Sequence, residues 1–178
     1  MTEFELIKGC AKQNTICQRM LFEQYAGKFM TVCLRYANDT MEAEDILQEG
    51  FVRIFNNIHQ FKFEGSFEGW MRRVVVNVAL KHLQKKKIQF AEIKENHADT
   101  PSLEAYAYSH LGQEELMKLI NQLPEGYRIV FNLTVIEGYS HEEIAQLLNI
   151  QASTSRSQLV KARKMLQQQI LQLQKIAV

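Results

Sequence analysis

The side chains best suited to recognition chemistry lie between Ser140 and Arg163. In this stretch small polar and basic residues recur at helical spacing, and such groups bond base edges and phosphates in DNA. They are Thr154, Arg156, Ser157, Lys161, Arg163 and Lys164. The pattern predicts a DNA-binding helix, and it leaves open an ordinary pair of helices with a solvated basic face.

Two short helices joined by a tight turn would position these side chains. Ser140 followed by Glu143 forms a capping box, which predicts a helix over residues 141–148. Asn149 then stands where a left-handed backbone is needed, a conformation that Asn tolerates well. The second helix turns three apolar side chains inward: Leu159, Ala162 and Leu166. Together these features indicate a helix-turn-helix.

A second candidate surface combines an aromatic loop, residues 60–65, with a basic helix capped by Ser66. The helix is expected to bury Phe67, Trp70, Met71, Val74 and Val78. Its exposed side carries Arg72, Arg73, Asn77, Lys81 and Lys85 to Lys87. Because bases stack on rings while cations neutralise phosphates, the segment predicts a surface for single-stranded DNA. For Phe67 and Trp70 a place in the core is favoured, and for the loop aromatics both interpretations stay open.

The helix expected over residues 41–58 has an apolar face and a polar one. The apolar face consists of Ile46, Leu47, Phe51, Ile54, Phe55 and Ile58. On the polar face Asp45, Gln48 and Glu49 form a row, for which solvation is the ordinary explanation. Gly50 in mid-helix costs about 1 kcal/mol relative to Ala, so the close approach of another backbone or of a partner would account for it.

The rest of the chain is also expected to be helical, which makes the fold class all-α. A helix over residues 2–11 should turn Phe4, Ile7 and Ala11 inward. The next, over residues 15–36, should bury Met20, Leu21, Tyr25, Phe29, Val32 and Cys33. A later helix should run from Pro124 to Ile136 and end at Gly138, and the glutamine-rich tail should extend the last helix.

Composition excludes several classes of protein. The longest aliphatic run, near residues 74–76, is far short of a membrane span, and the start is acidic rather than basic and apolar, so we expect a cytoplasmic protein. Cys10, Cys17 and Cys33 have no ligand spacing and are expected to be buried thiols. No phosphate-binding glycine loop and no histidine cluster is present, so no catalytic site, metal or cofactor is predicted.

The net charge of +1 is unevenly distributed. Residues 61–87 carry seven basic and two acidic side chains, and residues 126–178 carry six and three. Between these two basic blocks, residues 88–125 carry two basic and seven acidic side chains. Since nucleic-acid affinity depends on local charge, two separate surfaces could meet phosphate.

These motifs add up to a family resemblance. AEDILQEGFVRIF, the aromatic loop and SFEGWMRRVVVNVALKHLQKKK resemble region 2 of bacterial RNA polymerase sigma factors, and LPEGYRIVFNLTVIEGYSHEEIAQLLNIQASTSRSQLVKARKML resembles region 4. The layout is similar to the extracytoplasmic-function group of the sigma-70 family. The resemblance implies a region 2 helical bundle over residues 1–88 and a region 4 helix-turn-helix over residues 111–178. A flexible linker over residues 89–110, with short helical fragments near 103–108, would join them.

The resemblance also implies roles for individual residues. Asp45, Gln48 and Glu49 match the face that binds core RNA polymerase. Loop residues 60–66, among them Phe61, Lys62, Phe63 and Ser66, match the segment that captures a flipped base of the minus-10 element. Asn77 matches a position that supports this strand, with Arg72, Arg73 and Lys81 as phosphate contacts. The helix that reads the minus-35 element corresponds to Thr154, Arg156, Ser157, Val160 and Lys161.

Three positions depart from the family pattern and bear on base preference. Gln151 stands where the family often has a Ser cap, Gln158 where it often has a basic residue, and Val160 where it often has a larger or polar one. The expected function is promoter recognition without catalysis. The expected partners are core RNA polymerase, promoter DNA and, as in many relatives, a membrane-bound anti-sigma factor. A stand-alone helix-turn-helix regulator and a structural helical adaptor remain as alternatives.

Overall fold

The computed structural model describes residues 1–85 and 112–176. The chain divides into two compact units, Met1–Lys87 and Ile88–Val178. Among the described residues the regular structure is helical, with no strand, which confirms the all-α prediction. The expected linker over residues 89–110, its helical fragments, and Lys86 and Lys87 lie outside the described residues.

In the first unit the structure describes four α-helices. They are α1 (Glu3–Ala11), α2 (Thr15–Leu34), α3 (Thr40–Asn57) and α4 (Phe67–Lys85), with a short 3-10 turn, Ile58–Gln60, after α3. Side-chain oxygens of Thr2, Asn14 and Asp39 accept hydrogen bonds from backbone amides at the starts of the first three helices. These caps satisfy donors that have no partner inside the helix, so the helix starts are defined locally.

The core of this unit lies where α2, α3 and α4 pack together. Its fully buried side chains include Phe29, Ile46, Ile54, Met71 and Leu83, and burying each contributes roughly 1.5–3 kcal/mol. Gly50 belongs to this contact, because a Cβ atom there would lie 3.1 Å from Cγ2 of Val75 on α4. The mid-helix glycine therefore permits the close approach of α3 to α4.

The predicted inward face of α1 is wrong in part. Leu6, Ile7 and Cys10 are buried, whereas Phe4 and Ala11 are exposed. Both sets satisfy helical spacing, so only the position of α2 decides which stripe faces the core. Similar corrections apply to Met20, which is exposed, and to Trp70 and Val74, which are half-buried.

All three cysteines are buried free thiols, as predicted. Burial raises the pKa of the Cys10 thiol to about 11 and that of the Cys33 thiol to about 12. Both groups therefore stay protonated near neutral pH, when they are poor nucleophiles and poor metal ligands. They act as small apolar side chains in the core.

The second unit is a helical array that leads into the predicted helix-turn-helix. Its helices are α5 (Gln113–Asn121), α6 (Glu125–Phe131), α7 (His141–Leu148) and α8 (Ala152–Ile176). A π-helical segment, Asn132–Ile136, continues α6. Gly138 follows with φ 77°, a left-handed conformation that suits glycine and ends this stretch.

The turn between α7 and α8 has the predicted geometry. Ser140 and Glu143 form the capping box: the Glu143 amide donates to Ser140 Oγ at 3.2 Å, and the Ser140 amide donates to Glu143 Oε2 at 2.8 Å. Asn149 adopts the left-handed conformation with φ 54°. His141 Nδ1 lies 2.8 Å from Oγ of the buried Ser155, which links α7 to α8.

The inward face of α8 confirms the prediction. Leu159, Ala162 and Leu166 are buried, and so is Ile170 in the glutamine-rich end. The predicted helical extension is therefore packed against the unit through at least one more turn. None of the helices in the described part of the chain combines the length and apolar composition that a bilayer crossing requires.

Candidate nucleic-acid interface

A cavity of about 420 Å³ opens beside the aromatic loop of the first unit. Residues of the loop and of the first two turns of α4 line it: Gln60, Phe61, Lys62, Glu64, Gly65, Ser66, Gly69, Trp70 and Arg73. Four predicted DNA-binding residues are in this set, namely Phe61, Lys62, Ser66 and Arg73. Its size suits a single nucleobase with space for water around it.

The start of α4 forms one wall of this cavity. Ser66 caps the helix by accepting a hydrogen bond from the Gly69 amide at 3.2 Å. From this cap, Gly69, Trp70 and Arg73 follow at intervals of three and four, so they share one face of the helix. This spacing could have identified Trp70 as a site residue in the sequence, where it was interpreted as core.

The loop aromatics divide between core and surface. Phe61 is only 8% exposed and packs against Phe67 and Trp70, with ring centroids 5.1 and 5.8 Å away. Of the two interpretations left open for the loop aromatics, Phe61 packs with the core and at the same time lines the cavity. Phe63, in contrast, is 49% exposed.

Hydrogen bonding defines the polarity of one side of the cavity. Asn57 Nδ2 donates to the backbone oxygen of Arg53 at 2.8 Å, and Gln60 Nε2 donates to Asn57 Oδ1 at 3.0 Å. A carbonyl oxygen can only accept, so this chain leaves Gln60 Oε1 as an acceptor. Glu64, when ionised, can only accept as well. The two side chains are thus suited to the exocyclic amino group of a base, which cytosine, adenine and guanine have and thymine lacks.

A polar row leads from the cavity along α4. Arg73, Asn77 and Lys81 are all exposed and follow at intervals of four residues. At a rise of about 1.5 Å per residue they extend over about 12 Å, a length that suits successive phosphates. Lys85, also exposed, continues the row. Arg72 is half-buried and lies about 100° around the helix, so it is not part of this row.

The three residues of the predicted row on α3 differ in their contacts. Asp45 and Gln48 are exposed. Glu49 Oε1 accepts hydrogen bonds from Arg53 at 2.7 and 2.9 Å, and Glu49 Oε2 lies 2.8 Å from His82 Nε2 on α4. The hydrogen bonds from Arg53 and then from His82 lower the pKa of Glu49. Glu49 therefore connects α3 to α4 inside the unit.

Two apolar residues that the sequence interpretation missed extend the exposed stripe of α3. Met41 and Val52 are both exposed. With Asp45 and Gln48 they follow at intervals of four, three and four, which places all four on one helix face. The stripe has apolar ends and a polar centre, a composition suited to a protein partner. The signal in the sequence was a large apolar residue outside the predicted buried face.

The predicted recognition residues are distributed over the outer side of α8. Arg156 and Val160 are exposed, together with Arg163 and Lys164, while Thr154, Ser157 and Lys161 are half-buried. Arg156 Nη1 lies 3.4 Å from Glu142 Oε1 at the start of α7. Ser157 Oγ donates to the backbone oxygen of Thr154 at 2.9 Å, so its hydroxyl proton is in use and its lone pairs remain as acceptors.

Gln158 has a different role from the one its family position suggests. Its side chain is only 1% exposed, so it packs inside the helix-turn-helix unit instead of facing a ligand. This departure from the family pattern therefore does not bear directly on base preference.

The pKa of His141, at the start of α7, is lowered. The larger cause is burial of the imidazole, and the next is the positive charge of Arg156.

Comparisons with known proteins agree with this architecture. The family model for sigma-70 region 2 matches residues 21–88, and that for sigma-70 region 4 matches residues 113–166. The ECF RNA polymerase sigma factor SigW of Bacillus subtilis (strain 168) is 30% identical over 158 residues, which cover 82% of this chain and 84% of that protein. The chain belongs to the extracytoplasmic-function group of the sigma-70 family. It is an RNA polymerase sigma factor.

Further relatives of this sigma factor carry the same description. The ECF RNA polymerase sigma factor SigE of Mycolicibacterium smegmatis is 31% identical over 152 residues, covering 82% of this chain and 58% of that protein. Among solved structures, the sigma factor RpoE of Bartonella quintana, crystallised with the anti-sigma factor NepR, superposes with a TM-score of 0.52. That match has 18% identity and covers 86% of this chain and 96% of RpoE, and it supports the fold alone.

The family assignment places the candidate surfaces in known regions. The cavity, the polar row of α4 and the exposed stripe of α3 lie within the region 2 match. The exposed residues of α8 from Arg156 to Lys164 lie within the region 4 match. Helix α1 precedes both matches, so nothing about its side chains follows from them.

Proposed function

We propose that this sigma factor directs transcription initiation through three surfaces, acting in the cytoplasm and performing no catalysis itself. Residues 1–88 bind core RNA polymerase and the minus-10 element, and residues 111–178 bind the minus-35 element, with residues 89–110 as the linker between them. Two tethered weak sites raise affinity through effective concentration, so neither needs an extreme basic charge. That argument agrees with the modest excess of cations in each basic block.

The cavity beside the loop is the observation that carries the proposal for region 2. It takes a flipped base of the opened minus-10 strand, and Gln60 and Glu64 favour a base with an exocyclic amino group. An ionised Glu64 near DNA repels phosphate, so its presence is understandable if it accepts a bond from the base. Arg73, Asn77 and Lys81 hold the adjoining backbone, with Arg72 and Lys62 adding positive charge.

The outer side of α8 reads the minus-35 element in the major groove. Arg156 and the half-buried Lys161 bond base edges or phosphates, while Thr154 and Ser157 contribute hydroxyl groups. Val160, which is exposed, suits the methyl group of a thymine. Because the helix presents both donors and an apolar group, we expect it to discriminate between sequences and not only to bind phosphate.

The exposed stripe of α3 binds core polymerase. Asp45 and Gln48 suit a basic partner helix, and Met41 and Val52 supply apolar area at either end. Glu49 supports this face from within by its bonds to Arg53 and His82. An anti-sigma factor is a further proposed partner, since the related RpoE structure is a complex with one.

A binding experiment with two matched charge reversals tests this proposal. Asp45→Lys lies in the stripe, whereas Glu23→Lys makes a matched charge reversal at an exposed residue of α2 that is paired with the exposed Arg19. We expect Asp45→Lys to weaken capture of core polymerase about ten-fold or more and Glu23→Lys to leave it unchanged. Glu49→Lys is unsuitable as the first variant because it breaks bonds within the unit.

Two outcomes would contradict the proposal. Equal capture by wild type and Asp45→Lys would show that the polymerase-binding face lies elsewhere. Loss of capture by Glu23→Lys to the same extent as by Asp45→Lys would show that the effect depends on total charge and not on the stripe.

A further inference from the structure

A continuous run of aromatic rings leads from the cavity to α1. The ring centroid of Phe61 in the cavity lining lies 5.2 Å from that of Phe63, which lies 5.1 Å from that of Phe4 on α1. Beyond it, Lys8 Nζ lies 4.1 Å from the centroid of Phe4, a cation–π contact. The run thus joins the base-sized cavity to a helix that no function has so far involved.

The two outer rings are unusually exposed for phenylalanine. Phe4 and Phe63 are each 49% exposed, although they touch one another. About half of each residue is therefore exposed to a partner, and because the two rings are tilted by 52° to each other, each offers its own exposed aromatic surface to a base. An isolated exposed ring would need no explanation, but a pair beside a base-sized cavity does.

The backbone of Phe63 adds a second observation. Its φ is 59°, in the left-handed region that bulky side chains rarely adopt. Such strain is kept where surrounding structure enforces it, and it clusters at binding sites. Here the conformation turns the ring out of the loop and against Phe4 instead of into the core with Phe61.

The charges around this pair favour a polyanion. Lys8 and Lys62 are both exposed beside the rings. Two nearby carboxylates have partners at the surface: Glu5 Oε2 accepts a hydrogen bond from the Thr2 amide at 2.8 Å, and Glu3 accepts one from the hydroxyl of Tyr25, while Glu64, next to Phe63, lines the cavity. Both ammonium groups are exposed and can attract the phosphates of a strand backbone, while the exposed parts of the rings can meet its bases.

We propose that Phe4 and Phe63, flanked by Lys8, form a second base-stacking site for the opened strand. The occupant is the base of the nucleotide next to the one captured in the cavity. This inference rests on the proposed function, because it assumes that the cavity holds a flipped base. It adds α1, which lies outside the region 2 match, to the promoter-binding surface.

The test asks whether the effect of removing one base depends on the presence of the Phe4 ring. The full chain is assembled with core polymerase, and a short single strand selected by this holoenzyme from a random pool is the fluorescent ligand. Binding is measured for the intact strand and for strands with an abasic site at each position, using wild type and Phe4→Leu. Leu keeps the apolar contact with Phe63 but has no aromatic face.

We expect the abasic site next to the captured position to weaken binding to wild type about five-fold or more. The same abasic site should have little effect in Phe4→Leu, because the stacking partner is already missing. Lys8→Gln should weaken binding of the intact strand and reduce the salt dependence of that binding. Phe22→Leu is the matched control, because Phe22 is also an exposed ring that packs on a core ring, that of Phe51.

Pocket integrity is checked in the free chain through Trp70, the only tryptophan, which lines the cavity. Unchanged Trp70 emission in Phe4→Leu shows that the loop is intact. If the abasic site next to the captured position then weakens binding equally in wild type and in Phe4→Leu, the second stacking site is disproved and Phe4 only packs against the loop. If no abasic position affects wild type, the cavity does not capture a base, and the proposed function of region 2 fails with it.

Discussion

The two surfaces proposed to bind DNA in this sigma factor are built in different ways. On α8 the proposed recognition residues from Thr154 to Lys161 belong to one helix and need only its regular geometry to share a side. The cavity of the first unit combines a 3-10 turn, a loop and the start of α4, with an aromatic connection to α1. A surface on one helix can be deduced from spacing, whereas a cavity depends on contacts between segments.

The difference also concerns what each surface can recognise. A helix in the major groove meets base edges in an intact duplex, so its side chains can be exposed and mobile. A flipped base must be enclosed, which requires walls held by packing, such as the contacts of Phe61 with Phe67 and Trp70. We therefore expect the first surface to bind double-stranded DNA and the second to bind only an opened strand.

Substituting one residue in each surface should produce the largest effects. Each substitution should weaken binding to one form of DNA and leave binding to the other nearly unchanged. Trp70→Ala removes a cavity wall and should weaken holoenzyme binding to the opened strand about ten- to a hundred-fold, with little effect on a duplex carrying only the minus-35 element. Arg156→Ala should weaken binding to this duplex by about 1–3 kcal/mol, with little effect on binding to the opened strand. Both affinities can be measured by fluorescence anisotropy at one fixed salt concentration.

Trp70→Phe serves as the control, since it keeps an aromatic wall and should retain most of the strand affinity. If Trp70→Ala weakens binding to the duplex as much as binding to the single strand, the proposed assignment of one surface to each form of DNA is wrong.

A smaller change should alter specificity without removing the cavity. Replacing Glu64 by Gln adds a donor to a group that otherwise only accepts. Wild type should prefer a base with an exocyclic amino group at the captured position over thymine by about ten-fold, and Glu64→Gln should reduce this preference severalfold. Competition between strands that differ at this one base measures the ratio. An equal preference in both proteins would contradict a role for Glu64 in base selection.

The smallest expected effect concerns the stability of the contact between α3 and α4. The pKa of Glu49 is lowered from 4.5 in the folded protein by Arg53 and His82, so its ionised form stabilises the fold. This contribution is present above about pH 4.5 and is lost as the pH falls through the lowered pKa. Glu49→Gln should therefore unfold more easily than wild type at neutral pH, by on the order of 0.5–1 kcal/mol.

Thermal unfolding at a series of pH values measures this difference. The gap between wild type and Glu49→Gln should narrow under acid conditions, because a protonated Glu49 resembles the amide. Glu23→Gln is the control, since its ion pair with Arg19 is exposed and should add little. A gap that stays constant as the pH falls would mean that the bonds of Glu49 do not depend on its charge.

Much of the second unit was predictable because its signals are local. The box formed by Ser140 and Glu143, the left-handed Asn149 and the inward stripe of α8 all depend on residues within a few turns of one another. Gln158 was the exception: its buried position depends on how α8 packs, which its family position did not reveal.

The first unit shows where such prediction stops. Phe4 and Ile7 both fit an inward stripe of α1, yet only Ile7 is buried. Phe61 and Phe63 are two residues apart in one loop, and one is in the core while the other is exposed. Glu49 and Asp45 share a helix, but only Glu49 reaches His82, thirty-three residues away. Each outcome was set by contacts between segments of the chain, which the spacing within one helix or loop does not contain.

The sequence by itself determined the all-α class, the helix starts, the family and the helix-turn-helix, because capping, periodicity and motif spacing act over short distances. The tertiary structure alone decided which aromatic rings enclose the cavity, which side of α1 is exposed, and which acidic residue of α3 is used internally. The physical reason is that burial is a property of contacts between segments, and residues at the edge of a helical stripe become core or surface according to what packs beside them.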